Sequence, residues 1–441
     1  MLRCFKFFLL VLALLFLFAA PVLAGEVDVY LCGNRVEPSE QGIIFDREMA
    51  RVMVPLSFFS QTFGAKVSWT DRSQEVIVND GDVTVRMYVG RHTAFLEEEG
   101  LTRTFSLGAP AVFLKGEVFV PLRFVAEALG YRVSWDAESR TANIVPDLLA
   151  LSGDAKVLDA GEPAVYANGS YYGFSLAEPG AGRIAARARF RVTGALAPGS
   201  FIKLAWQVKK GDEGAWQLFS PLPDGRFSTD VWLPFGPGEY IVDIFGVIRE
   251  ENAGGRYEWT GVPLACLKAV NSAPDIRFLA PINGINWDSQ EIFWLAQTLT
   301  GGGKSEKEKV LTVHDWVAQN IAYDTQSYFS GNIPYRTALE VLQERLGVCE
   351  HYSKLAASLL RAAGIPAKVV YGYVRKAVEG WQGISNGVPN HAWNEVFIGG
   401  RWVTMDVTWD AGYLNGSSFV PAYTRKYFAP DRALYEKMYE R

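Results

Sequence analysis

The sequence predicts a multidomain α+β chain: a duplicated α+β module at residues 26–146, a β-sandwich at 156–270, a linker at 271–288 and a further α+β domain at 289–441. Three observations lead there. A segment starting at Val52 recurs at Val118, residues after Lys156 alternate apolar and polar in short runs, and after Ser289 the apolar spacing lengthens to about one helical turn. At 441 residues the chain exceeds one core of ordinary size.

Residues 1–24 open with Arg3 and Lys6, continue as an apolar run from Phe7 to Ala20, and end with Val22 and Ala24 before Gly25. This pattern predicts a signal peptide and a secreted or cell-wall-associated protein. No later segment is apolar enough to span a bilayer, so no membrane partner is expected after cleavage. With 43 Lys and Arg against 48 Asp and Glu, and no long basic run, nucleic acid is not an expected partner. Outside the leader, which holds Cys4, stand Cys32, Cys266 and Cys349, an odd number in a compartment that permits disulfides. A Cys32–Cys266 bridge would join separate domains; buried free thiols are the alternative.

In the repeat, VMVPLSFFSQTFGAKVSWTDRSQEVIV returns as VFVPLRFVAEALGYRVSWDAESRTANI. Each copy reads as a strand, a helix with Pro55 or Pro121 at its first position, Gly64 or Gly130 at its end, and a strand carrying Trp69 or Trp135. With its V-P-L-x-F and G-x-x-V-S-W motifs, this segment resembles the copper amine oxidase N-terminal domain, common on exported bacterial proteins. The resemblance implies a binding or wall-associating module or a structural spacer. His92 is its sole imidazole, so no metal site is expected there.

From Lys156 to Val270, runs such as RIAARARFRV, FIKLAWQVKK and EYIVDIFGVI lie between APGS, LPDG and GPGE turns, the pattern of an antiparallel β-sandwich. Exposed loops are expected at Glu178 to Arg183 and Glu250 to Arg256. Without a His or a recognisable nucleophile motif, this part suits a structural or ligand-presenting role.

Helices are expected at Ser289 to Leu299, Glu306 to Ile321 and Ala338 to Arg345, followed by one that opens at Cys349 and stops at Gly364 and Pro366. A cysteine at a helix N-terminus meets free N–H groups and the positive end of the dipole, which favour the thiolate and can receive an oxyanion. Alone, such a cysteine is more often a small buried hydrophobe than a nucleophile. Downstream, HAWNEVFI and RWVTMDVT are joined by Gly399-Gly400, a pair suited to a tight hairpin. If Ile398 faces Arg401, then Trp393 faces Asp406 and His391 faces Thr408, placing His391 and Asp406 as diagonal neighbours roughly 7 Å apart on one face. Ala392, Val396, Ile398, Val403, Met405 and Val407 form the other, core-like face.

The motifs GVCEHYSKLAASLLRAAGIPAKVVYGYV and NHAWNEVFIGGRWVTMDVTWD resemble the transglutaminase-like superfamily core. The resemblance implies a papain-like fold with Cys349 as nucleophile, His391 as general base and acid, and Asp406 as orienter of the imidazole. Tyr323 and Trp393 are candidates for a second oxyanion donor; Glu350, His351, Asn394 and His314 read as supporting or structural. No cofactor or metal is expected, since a zinc site on Cys349, His391 and Asp406 would need an open position for hydrolysis and the helix-start cysteine is explained without metal. The expected partner is a protein or peptide substrate, with cell-wall or surface components as further candidates. Cross-linking, deamidation and proteolysis share one thioester intermediate and stay open. A non-catalytic surface or wall-binding protein is the alternative.

Overall fold

A computed structural model describes residues 27–37, 42–98, 100–148, 154–159, 161–251, 257–374 and 390–440. The expected signal peptide and Cys4 lie outside these residues, as does 252–256 of the second expected loop. The chain is mixed α and β, with strand predominating and several separate sheets. It divides into two compact units, one of Val36–Leu129 with the chain up to Val29, the other of Tyr30–Arg35 with Gly130–Arg441.

In the first unit the two repeat copies exchange strands. Arg51–Pro55 pairs antiparallel with Glu117–Pro121, Val54 facing Val120, around a small core of Met53, Ala109 and Phe119. The prolines close these strands instead of opening helices: the helices run Ser57–Phe63 and Leu122–Ala128, with Pro121 as the N-cap of the second. Pro121 fits there because it lacks only an N–H that the helix start does not use. Gly64 is left-handed at the first helix end, φ 69°, as its motif requires. His92 Nδ1 lies 3.0 Å from the Leu107 carbonyl, a structural tie.

In the second unit, a large sheet runs in the order Lys156–Asp159, Arg183–Ala186, Tyr257–Asn271, Gly238–Glu251, Lys203–Lys210, Glu213–Phe219, and a three-stranded sheet holds Ser175–Glu178, Arg189–Ala195 and Arg226–Trp232. Phe219 and Phe227 meet between the sheets at 5.9 Å. The layout is not wholly antiparallel, because Arg183–Ala186 runs parallel to Tyr257–Asn271. Nor is Glu178 to Arg183 wholly exposed: Ala181 is buried. Glu250 and Glu251 belong to the paired part of a long hairpin, facing Glu258 and Tyr257. Cys32, Cys266 and Cys349 are all free thiols.

Segment 271–288 is packed where a linker was expected. Ala273, Ile276, Leu279, Ile282, Ile285 and Trp287 are buried in one hydrophobic core that runs from the sandwich into the C-terminal region. Trp287 meets Trp232 at 5.9 Å, and Gln217 Nε2 donates to the Pro281 and Ile285 carbonyls while its Oε1 accepts from Gly284 N–H. No periodicity marks the segment because its apolar residues serve a turn-rich seam.

The C-terminal region begins with helices α1 (Gln290–Thr300) and α2 (Glu306–Asn320); Ser305 and Glu308 form a capping box on α2. Strand β1 (Ala322–Tyr323) follows, then α3 (Thr325–Ser330), α4 (Ala338–Glu344), β2 (Leu346–Gly347) and α5 (Cys349–Ala362). Next come β3 (Ala367–Val374), β4 (His391–Ile398), β5 (Arg401–Met405), α6 (Val407–Ala411), β6 (Gly412–Asn415), β7 (Ser418–Pro421), α7 (Arg432–Met438) and β8 (Tyr439–Glu440). The main sheet has the order β5-β4-β3-β8. Helix α5 is buried from His351 to Ala362, and Asn394 on β4 donates to the Ser353 carbonyl, fixing helix to sheet. Among the described residues no helix is long and apolar enough to cross a membrane.

Candidate active site

Cys349 is the first residue of α5, after Val348 in extended conformation. The turn before it is set by His351, whose Nδ1 accepts from Val348 N–H at 3.1 Å while Nε2 lies 3.1 Å from the Pro334 carbonyl. These two contacts fix the proton on Nε2. Burial pushes this imidazole down to about 4, so it caps the helix as a neutral ring. Gly347 is required beside it, since a Cβ there would stand 2.5 Å from His351 Cβ.

The hairpin forms in the expected register, Ile398 facing Arg401 and Asn394 facing Met405, over left-handed Gly399 and Gly400. It ends three residues early, at Met405 instead of Thr408. Asp406 leaves the strand to cap α6, its Oδ1 accepting from Trp409 N–H at 3.2 Å, so His391 is paired with Gly372 on β3 and Thr408 is helical. The expected diagonal across two strands is therefore replaced by a strand-to-cap contact. The contact itself is made: His391 Nε2 and Asp406 Oδ2 are 2.7 Å apart. Both faces of β4 are buried, so neither is an open wall.

With Nε2 on Asp406, Nδ1 is the ring nitrogen that remains for the Cys349 side chain, which lies near enough to act on the imidazole. Burial by itself lowers the imidazole, but Asp406 and Cys349 outweigh it and raise it to about 10. The ring therefore favours its protonated form beside the sulfur. Trp409 stacks on His391 at 4.6 Å and 14°, Trp393 lies 6.0 Å away on the same ring, and Tyr439 donates to Asp406 Oδ2 at 3.1 Å. Burial and the Asp406 charge keep the Tyr439 phenol protonated.

Trp409 and Tyr439 escaped the sequence reading. Trp409 had a local signal, three residues after the cap; Tyr439, 33 residues from Asp406, had none. Of the two oxyanion candidates, Tyr323 is buried and close enough to Cys349 that, after burial itself, the sulfur's charge opposes its ionisation. Trp393 is fully buried against His391 and Tyr439. Glu350 flanks the nucleophile, bound by Lys354 at 2.6 Å and Tyr371 at 3.2 Å. His314 lies apart, buried between Asp315 at 2.9 Å and Asp410 at 3.0 Å. Among the described residues no group of three His, Cys, Asp or Glu side chains is arranged to hold a metal ion.

Comparison with known proteins bears on this arrangement. Residues 294–407 match the model of the transglutaminase-like superfamily, and residues 31–144 that of the copper amine oxidase N-terminal domain. Kyphoscoliosis peptidase of Mus musculus is 28% identical over 144 residues, 32% of this chain and 22% of the peptidase. The uncharacterized protein YebA of Bacillus subtilis (strain 168) is 31% identical over 143 residues, 30% of this chain and 19% of YebA. The chain thus spans about a fifth of the length of these relatives. A candidate cysteine protease of known structure from Cytophaga hutchinsonii is 19% identical, covering 50% of this chain and 75% of its own, at a TM-score of 0.26 that is too low to assign a fold. The chain carries a transglutaminase-like superfamily core at 294–407 and a copper amine oxidase N-terminal domain at 31–144.

Proposed function

We propose that the C-terminal region is a cysteine-dependent acyltransferase or hydrolase acting on protein or peptide amides, with Cys349 as nucleophile, His391 as base and acid, and Asp406 as orienter. The observation that carries this reading is one imidazole hydrogen-bonded to Asp406 through Nε2 and close enough to Cys349, at the start of a helix, to be raised by it. The sulfur attacks the amide carbonyl carbon and forms a C–S bond. As the tetrahedral intermediate collapses, the C–N bond breaks and His391 gives its proton to the leaving amine or ammonia. Water or a primary amine then attacks the thioester, His391 takes the proton, and the thiolate departs. The free N–H groups of the α5 first turn, with the protonated Tyr323 phenol nearby, supply donors for the oxyanion.

The likeness to kyphoscoliosis peptidase favours hydrolysis of peptide bonds among the outcomes of this intermediate. In this reading the leader exports the chain and the N-terminal module keeps it near surface or wall substrates. The test is mass spectrometry of the protein and its Cys349→Ala variant, each incubated with a glutamine-containing protein and a primary amine. Cleavage, deamidation or an amine adduct confined to the parent supports the enzyme and names its outcome. No Cys349-dependent change over a broad substrate panel supports a non-catalytic binding protein instead.

A further inference from the structure

Beside the site, and not lined by Cys349 or His391, lies a cavity of about 740 Å³. That volume is within the range of ligand pockets, about 300–1,000 Å³. Its apolar wall includes Ile321, Tyr323, Phe419 and Pro421, with Tyr323 stacked on Phe419 at 5.3 Å and 25°. Its charge is one-sided. Arg345 is its sole charged residue, and none of the described residues lining it is acidic.

Arg345 lies with its guanidinium 4.7 Å from the Trp316 ring centroid, exposed, at a left-handed backbone position that ends α4. The carboxylate beside it at the end of α4, Glu344, and the one that follows the paired strand β1, Asp324, are already held elsewhere. Arg336 binds both Glu344, at 2.6 Å, and Asp324, at 3.1 Å, and Asp324 also accepts from Ser327. The positive charge at the cavity thus has no acid of its own among these.

The cavity also has a direction. Strand β1 is paired only with β2, and β7 only with β6, so an edge of each is without a strand partner among the described residues. Tyr323 on β1 faces Gly347 on β2, two residues before Cys349. An extended chain seated along this wall leads toward the sulfur.

We infer that this cavity is a subsite for an extended peptide carrying a carboxylate next to an aromatic or aliphatic side chain, with Arg345 receiving the carboxylate and the Tyr323–Phe419 wall the apolar group. A role in substrate choice rests on the proposed acyl chemistry; the binding itself does not. The test therefore uses the full chain as Cys349→Ala, titrated calorimetrically with the peptide acetyl-Ala-Phe-Glu-Ala-amide and with versions carrying Gln or Lys in place of Glu. The Glu peptide is expected to bind about fivefold tighter than the Gln peptide, as a partly exposed charge pair allows, with Lys weakest. Arg345→Gln erases that order and Arg345→Lys keeps most of it, while an unchanged melting temperature shows both variants folded. Equal affinities in the parent, no binding by any peptide, or an order that survives Arg345→Gln overturns the subsite. Turnover measured separately with intact Cys349 tells the two readings apart: a charge order without turnover sinks only the enzyme, and turnover without a charge order sinks only the subsite.

Discussion

The protonation of one ring carries most of the chemistry. The imidazole of His391 is raised to about 10, above its ordinary 6.5. Its contribution to stability is therefore complete below the unfolded value and is lost as pH rises through the folded one. Asp406→Asn keeps a residue able to cap α6 but removes the charge, leaving burial to lower the ring. Urea unfolding at several values between about pH 6.5 and 10 should show the parent losing more stability than Asp406→Asn as pH rises. Parallel pH profiles would sink the assignment of that charge to His391. Nearby, Tyr439→Phe deletes a donor to Asp406 Oδ2. It is expected to cost about 1 kcal/mol and to slow alkylation of Cys349 by iodoacetamide, while Tyr439→His gives a larger loss through repacking. The glycine of the G-V-C motif also has a physical reason. Gly347→Ala would force its Cβ against His351 and strip Val348 N–H of its acceptor, a loss of about 1–3 kcal/mol by urea unfolding.

Between residues and the whole stands α6, five residues long and held at both ends. Asp406 caps its start, and Asp410 near its end accepts from Thr424 at 2.5 Å and meets His314 at 3.0 Å. Tyr427 joins the two ends, its N–H reaching the Asp410 carboxylate and its carbonyl accepting from Asp406 N–H. His314→Leu leaves Asp410 buried without its imidazole, with an expected loss of about 3 kcal/mol in urea unfolding and a slower Cys349 alkylation at fixed pH. A loss of stability with alkylation unchanged would show that this anchor does not reach the site. The same element marks the limit of sequence reading. The hairpin register was legible to Met405 because two adjacent glycines define a turn and alternation continues on both sides. Asp406 to Asp410 continue that alternation, yet a capping carboxylate turns them into a helix too short to show a period. Cys349 was readable for the opposite reason: a long amphipathic stretch, ended by Gly364, fixes where its helix begins.

At the scale of the molecule, the sandwich and the C-terminal region are not beads on a flexible tether. Their apolar residues form one continuous core through segment 271–288, and Arg361 from α5 donates to the Ala280 carbonyl on the same seam. Periodicity could not announce this, because a seam built of turns has neither helical nor strand spacing. It does reveal itself through its apolar content, which a solvated linker would not need. The expected consequence is that destabilising one part also destabilises the other. Gln217 is the polar pin of the seam, a buried amide that reaches Pro281 and Ile285 as donor and Gly284 as acceptor. Gln217→Leu keeps the volume roughly constant but leaves three backbone groups without partners, a loss of about 3 kcal/mol. Calorimetry on the full chain should show the transition assigned to the sandwich and that of the C-terminal region moving down together in this variant. If only the sandwich transition falls, with Cys349 alkylation as in the parent, the two parts fold as separate bodies and the sandwich has no hold on the nucleophile.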